Sequence, residues 1–569
     1  MGFSDQTQLL IVMISYISLL ILWGIWNGRK VKSSSDFAIA GRNLPGWVAA
    51  LSERATGESS WALLGLPGAA YATGLTEIWT ALGCVLGIIT AWILISWRLR
   101  EAAEKYNVST FTEFIAKKHG EAGKWIRIIG STTIIFFFFL YVGAQFIGGG
   151  KTLSTMFEGV ELWAGVLITA SVIIPYTIYG GFMSVVYTDV VQAIVMIIAL
   201  IITPIVGILY LSSHPELFAQ SINGALQNAG DNYTNFVGSA TGFGAGMVIA
   251  GGFSWFFGYL GGQPQLSMRF MAIKNHKQAK KARNIGIIWT IIAYIGALCI
   301  GWIGIAIFGP DGLHDAETVM PEVVLKLFPP AIAAILITGA IAAMVSTADS
   351  LLILSSTELN ENIISPLLKN KTKNSLNRSR IITGIIALIA LGLAYISPSD
   401  LIFDMVSYVW AGIGGTFSVV ILLSLFWKKY HGRAVLLTII SGMAFTIFWI
   451  GGGYEKHYKI TDERIEQFIS NADDSIEKSE IEYRKSLITK LESLKDIVIV
   501  SDYSLRNRIE EIIKFENDEQ KAKAVSTIKQ GFTHKNWPTS RILTFFVALF
   551  FAIAGTYLIK TNQNKLEES

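Results

Sequence analysis

The sequence predicts an all-α integral membrane protein of about thirteen transmembrane helices. Three observations predict it: a surplus of apolar residues, their grouping into runs of span length, and basic loops that alternate with apolar ones. Hydrophobic types make up 52% of the 569 residues and charged types only 15%. A soluble chain of this length needs far more surface charge, so the excess apolar side chains must face lipid.

A crossing takes roughly 20 apolar residues over about 30 Å of hydrocarbon. The first such run is 9–26. Five follow at 46–72, 75–97, 125–149, 162–179 and 185–211, and five more at 242–262, 285–308, 331–356, 381–396 and 401–427. The last two are 434–451 and 542–558. The chain then divides into an N-terminal extra helix (1–45), a first five-helix repeat (46–212), a second (238–428), a twelfth span (429–453), a charged insertion (454–540) and a final span with its tail (541–569).

Every second loop is basic. Arg29, Lys30 and Lys32 follow the first span, residues 98–124 carry six Lys or Arg, and 269–283, 369–380 and 428–433 continue the series. The positive-inside rule places the N-terminus outside and the C-terminus, with Lys560 and Lys565, in the cytoplasm. In the outer insertion Ile465, Phe468, Ile469, Ile476, Leu487, Leu491 and Leu494 recur at helical spacing, followed by Leu505, Ile509, Ile512 and Ile513. This reads as two amphipathic helices, either a solvated addition or a docking surface for a partner.

Net charge is +4 and dispersed, which gives no case for nucleic acid. Cys84 and Cys299 lie in apolar runs, and the seven histidines have no HxxH or CxxC arrangement, so no transition-metal site is expected. Nor does a nucleophile–base pair or cofactor loop stand out, and the chain is not read as an enzyme.

Three spans depart from plain lipid-facing helix. The second reads Leu51-Ser52-Glu53-Arg54-Ala55-Thr56-Gly57-Glu58-Ser59-Ser60-Trp61, with Pro67 downstream. Three charges among glycine and serines argue for an interrupted helix, whose freed carbonyls hold a cation and whose N–H groups hold an anion. The alternative is an interfacial loop before a helix that starts at Ser59. The seventh span is rich in glycine from Gly251 to Gly262 and ends at Pro264; Trp255 and Tyr259 share a helix face. A small zwitterionic or hydroxylated ligand suits that ring pair, whereas packing through small residues is the other reading. In the ninth span Ser346, Asp349 and Ser350 sit at i, i+3 and i+4, beside Thr347. Hard oxygen donors at this density suit a hard cation. Asp189 opens the sixth span, as an ordinary helix N-terminal acid would. The interrupted second and seventh segments are five spans apart, the spacing expected of two inverted repeats.

With these motifs the chain resembles the sodium/solute symporter family, which includes bacterial proline, sialic acid and galactose carriers and animal sodium/glucose carriers. The likeness is nearest to sodium/proline symporters. It lies in Trp61–Gly68, Tyr179-Gly180-Gly181-Phe182 to Gln192, Gly258–Ala272 and Met344–Ser350, and covers about residues 7–452 and the last span. The resemblance implies a LeuT-like fold, two inverted five-helix repeats with one helix before them and two or more after. It implies a sodium site from the carbonyls of Ala55, Glu58 and Ala343 and the hydroxyls of Ser346 and Thr347. From the sialic acid carriers it implies a second cation site at Asp189, Ser346, Asp349 and Ser350, where Asp349 replaces a serine. For substrate it implies Ser59, Ser60, Trp255, Tyr259 and Pro264, with Tyr141 and Gln145 nearby. Proline carriers have an essential aspartate where this chain has Gly57, and Glu53, Arg54 and Glu58 depart from their pattern.

The expected activity is sodium-coupled import of a small polar solute, proline or a similar amino acid, by alternating access. Alternatives are a sugar, sialic acid or other carboxylate carrier of the same fold, a proton-coupled one, or a transporter-like membrane sensor.

Overall fold

The computed structural model describes residues 4–29, 31, 34–238, 240, 242–310, 312–313, 315–368, 375–396, 402–452 and 539–559. The amphipathic helices expected in 454–540 lie outside the described residues, apart from the first turn of the final helix, as do Lys560 and Lys565.

Among the described residues the only β-pairing is a single bridge, Leu44 to Ile273. The rest is helix and connection. Among the described residues ten helices are long and apolar enough to cross a bilayer, and two shorter apolar helices, Leu162–Pro175 and Gly242–Gly258, accompany them. One of the ten, Gly46–Lys105, runs for 60 residues through a turn at Gly74 (φ 65°).

Helix α1 (Asp5–Gly28) starts where Ser4 caps it by accepting from the Thr7 N–H. Its Leu19 and Leu22 are exposed, as lipid-facing residues are. Helix α2 (Gly46–Ser60) stops at Ser59, whose φ of 48° and ψ of −168° leave the helical region. A π turn over Trp61–Gly65 follows, then α3 (Leu66–Thr73) with Pro67 in its first turn, where a missing N–H costs nothing. After the turn comes α4 (Ile78–Thr90).

Helix α5 (Gly123–Met156) is followed by α6 (Leu162–Ser213), a 52-residue run that at 1.5 Å per residue is about twice too long for one crossing. Gly181, at φ 62° and ψ −178°, breaks it. A Cβ there would meet Phe37 at 2.7 Å, so both conformation and space require glycine.

Helix α7 (Gly242–Phe253) and the short turn Trp255–Gly258 end at an irregular stretch before α8 (Pro264–Ala272). Helices α9 (His276–Phe308), α10 (Pro330–Thr357) and α11 (Ser375–Tyr395) follow. Then α12 (Ile402–Val409) passes through a π turn, Trp410–Gly415, into α13 (Thr416–Phe426). Two helices complete the bundle, α14 (Gly432–Gly451) and α15 (Ser540–Leu558).

Helix α10 is the axis of the bundle. From Leu336 to Thr357 every residue is buried, polar ones included. It packs on α2, α5 and α6. Buried hydroxyls and a carboxylate in such a helix need partners from its neighbours. The broken α2 supplies them.

Candidate functional site

The backbone leaves helical geometry at Ser59, and α10 packs against α2. The Ser346 hydroxyl donates to the Ala55 carbonyl at 2.9 Å and lies 3.0 Å from its own helix's Ala343 carbonyl. Thr347 donates to the Thr56 carbonyl at 3.0 Å. Ser346 and Thr347 are fully buried. The expected sodium ligands Ala55, Ala343, Ser346 and Thr347 are thus brought together as a dry set of hard oxygens. The Glu58 carbonyl accepts the Trp61 N–H, and its side chain turns to Arg54. Thr56 was missed in the sequence; its carbonyl meets Thr347 while its hydroxyl reaches Ser350 at 3.1 Å.

On the next face of α2 lies the carboxylate cluster. Asp189 accepts from Ser52 at 2.6 Å and from Thr56 at 3.4 Å. It also pairs with Arg269 at 3.0 Å. Arg269 bonds Ser350, and Ser350 stands 3.4 Å from an Asp349 carboxylate oxygen. Arg269 was counted among the basic residues of a loop. Instead it is buried on α8 between Met268 and Phe270. Its apolar flanks were the available signal, since an arginine inside an apolar run is a residue with a buried partner. The second Asp189 oxygen, Oδ1, has no hydrogen-bond partner.

A third buried cluster surrounds Arg54. It grips both oxygens of Glu53, bonds Glu58 at 2.7 Å and touches Thr290 at 3.1 Å. Trp92 donates to Glu53 at 3.2 Å. Gly57 makes this possible: a Cβ there would lie 3.2 Å from the Arg54 guanidinium and 3.3 Å from Leu266.

The residues expected to meet the solute converge beyond the break. Tyr141 donates to the Ser59 hydroxyl at 3.2 Å, and the Ser60 N–H donates to Gln145 at 3.0 Å. Trp255 stacks on Trp61 with centroids 4.2 Å apart. Tyr259 meets Trp410 edge-on at 5.3 Å, and Trp410 meets Tyr141 at 5.4 Å. Phe403 closes the box against Trp61 and Trp255. Pro264 begins α8 on the far side of the break. Trp61 was read only as motif, and Trp410 and Phe403 were missed, because an aromatic in an apolar span gives no sign of which neighbour it faces.

At the end of the bundle where α12 starts, Glu317 accepts the Phe403 N–H at 2.9 Å and the Ile402 N–H at 3.1 Å. Lys151 bonds Glu317 at 2.7 Å and Asp315 at 2.6 Å. Burial pushes the Glu317 carboxyl above its ordinary range, against the pull of Lys151.

The sequence profile of the sodium:solute symporter family matches residues 37–442. The high-affinity proline transporter PutP of Bacillus subtilis is 34% identical over 441 residues, 76% of this chain and 90% of the relative. The sodium/proline symporter of Escherichia coli is 33% identical over 467 residues, 80% of this chain and 90% of the relative. A solved Na+-coupled sialic acid symporter, substrate-bound and outward-open, superposes with a TM-score of 0.65 at 19% identity, over 79% of this chain and 93% of its own. The fold is therefore the LeuT-like one, in a multi-pass membrane protein whose co-transported ion is sodium. This chain belongs to the sodium:solute symporter family.

Proposed function

We propose that the protein imports proline or a similar small amino acid together with sodium, by alternating access. The observation that carries this is the meeting of Ser346 and Thr347 with the carbonyls of Ala55 and Thr56. It joins an ion site to the same helix break whose Ser59 and Ser60 border the aromatic box. The proline-carrying relatives support the choice of solute.

Sodium entering from outside replaces the hydroxyl–carbonyl contacts with ion–oxygen contacts and fixes α2 against α10. Ligands are Ala55, Glu58, Ala343, Ser346 and Thr347. Asp189, Ser346, Asp349 and Ser350 form the second cation site, with Arg269 as its resident counter-charge. Solute enters among Ser59, Ser60, Tyr141, Gln145, Trp255 and Tyr259, with Pro264 behind them. The bundle then rocks and opens inward. Each sodium contributes about 2.3 kcal/mol per 100 mV, which supports roughly fifty-fold accumulation. The N-terminus lies outside and the C-terminus in the cytoplasm, in the plasma membrane of a bacterium.

Uptake of radiolabelled L-proline into proteoliposomes tests this. Accumulation that requires an inward sodium gradient is expected. Uptake driven equally by a proton gradient without sodium, or no uptake of any amino acid, refutes it.

A further inference from the structure

The last helix reaches into the aromatic box. Arg541 stands in the first turn of α15, outside the residues 37–442 that the family profile matches. Its side chain is buried, and its guanidinium lies 4.6 Å from the Trp255 ring centroid. Nε donates to Ser254 at 2.7 Å, Nη2 to the Gly251 carbonyl at 3.1 Å and Nη1 to Ser407. One side chain from α15 thus spans α7 and α12, the two helices that bring Trp255, Phe403 and Trp410 together.

Three groups of the box can only donate, and the Ser60 hydroxyl can donate or accept. The indole N–H groups of Trp61, Trp255 and Trp410 are buried and have no acceptor, and the Ser60 hydroxyl has no partner. An indole nitrogen donates and cannot accept. Buried donors left open are costly, so they mark the place of a ligand that brings acceptors. The guanidinium adds a planar fork suited to two oxygens.

We infer that Arg541, with these indole donors, recognises the carboxylate of the transported solute, so that the terminal helix sets specificity for carboxylate-bearing solutes. The oxygens of Ser254, Ser407 and Gly251 are among the groups that hold the guanidinium in place. The solute's carboxylate then adds to them as a charged acceptor. The inference rests on the solute reading above but does not depend on proline in particular.

The test is made on the full-length protein in proteoliposomes, by sodium-dependent solute-induced current. Matched pairs are compared: L-proline with L-prolinamide, L-alanine with L-alaninamide, and galactose as a solute without a carboxylate. The wild type is expected to prefer each carboxylate over its amide, and Arg541→Gln to raise the KM for the carboxylate by about ten- to a hundred-fold, the loss of a charge-assisted contact. Arg541→Gln should narrow the acid-over-amide ratio, and Arg541→Lys should restore part of it. Sodium-induced tryptophan fluorescence change, retained in Arg541→Gln, shows that the variant is folded. A wild type that takes amides or galactose as well as acids overturns the inference, as does a retained acid-over-amide ratio in Arg541→Gln. A wild type that prefers alanine over proline refutes proline as solute, while a ratio lost in Arg541→Gln still supports Arg541.

Discussion

The Ser346 hydroxyl lies 2.9 Å from the Ala55 carbonyl, although 291 positions separate the two in the chain. Neither residue is charged, and both are fully buried. The contact matters because the Ala55 carbonyl lies within one helical turn of the Ser59 break. A buried hydroxyl and carbonyl facing each other beside a helix break are the kind of hard oxygens the proposed sodium site needs.

Removing that hydroxyl should weaken sodium binding directly. Ser346→Ala and Thr347→Ala are each expected to raise the half-saturating sodium concentration about tenfold, or roughly 1.4 kcal/mol. Sodium titration of solute-induced current measures it. Unchanged sodium dependence in both variants would remove the site.

The pairing of Asp189 with Arg269 sets a second expectation. Breaking a buried pair from one side costs about 3–5 kcal/mol, because the other charge is stranded. Asp189→Asn and Arg269→Gln should therefore each destabilise strongly, and the double variant by less than the sum of the two, a non-additivity visible in melting temperatures. Asp349→Ala leaves Arg269 paired and should instead lower the Hill slope for sodium towards one. A slope that stays at the wild-type value speaks against a second bound cation.

Glu317 ties the start of α12 to Lys151. Glutamine has one carbonyl where the carboxylate offers two oxygens, so Glu317→Gln must release either Ile402 or Phe403. A loosened Phe403 is expected to raise the solute KM about threefold to tenfold with little change in sodium affinity. A double-mutant cycle with Lys151→Met should give a coupling of about 1–3 kcal/mol. A coupling near zero would mean that Glu317 acts through the backbone alone.

His119 supplies a pH expectation away from the transport path. It precedes the span that starts at Gly120, shares a 2.8 Å hydrogen bond with Ser424 and meets Tyr430 edge-on. Burial, with Lys118 and His431 nearby, pushes its imidazole down to about 3. The folded state keeps the ring neutral while the unfolded chain takes up a proton near pH 6.5, so stability is full above that pH and falls as pH drops towards 3. The slope from this one group is at most about 1.4 kcal/mol per pH unit. Melting curves in detergent between pH 7.5 and 5 should show this loss, and His119→Gln should flatten it.

The spans and the interrupted segments were legible in the sequence because lipid imposes a rule that acts on every residue. A crossing must be apolar, so Glu53, Asp189 and Asp349 were conspicuous by chemistry alone. Gly251 to Gly262 announced a loosened backbone for the same reason. The interrupted second span and the hydroxyls of the ninth pointed to a hard cation, while the particular oxygens of Ala55, Glu58, Ala343, Ser346 and Thr347 came from the family resemblance.

What only the tertiary structure decided was which buried group faces which. Arg269 reads as a loop cation in one dimension and proves to be the partner of Asp189, because α8 turns back into the bundle after Pro264. Arg541 stands 286 positions from Trp255 and ends over its ring. Partnership between distant charges and rings depends on how helices pack, and helical periodicity records only that a residue faces inward, never what waits there.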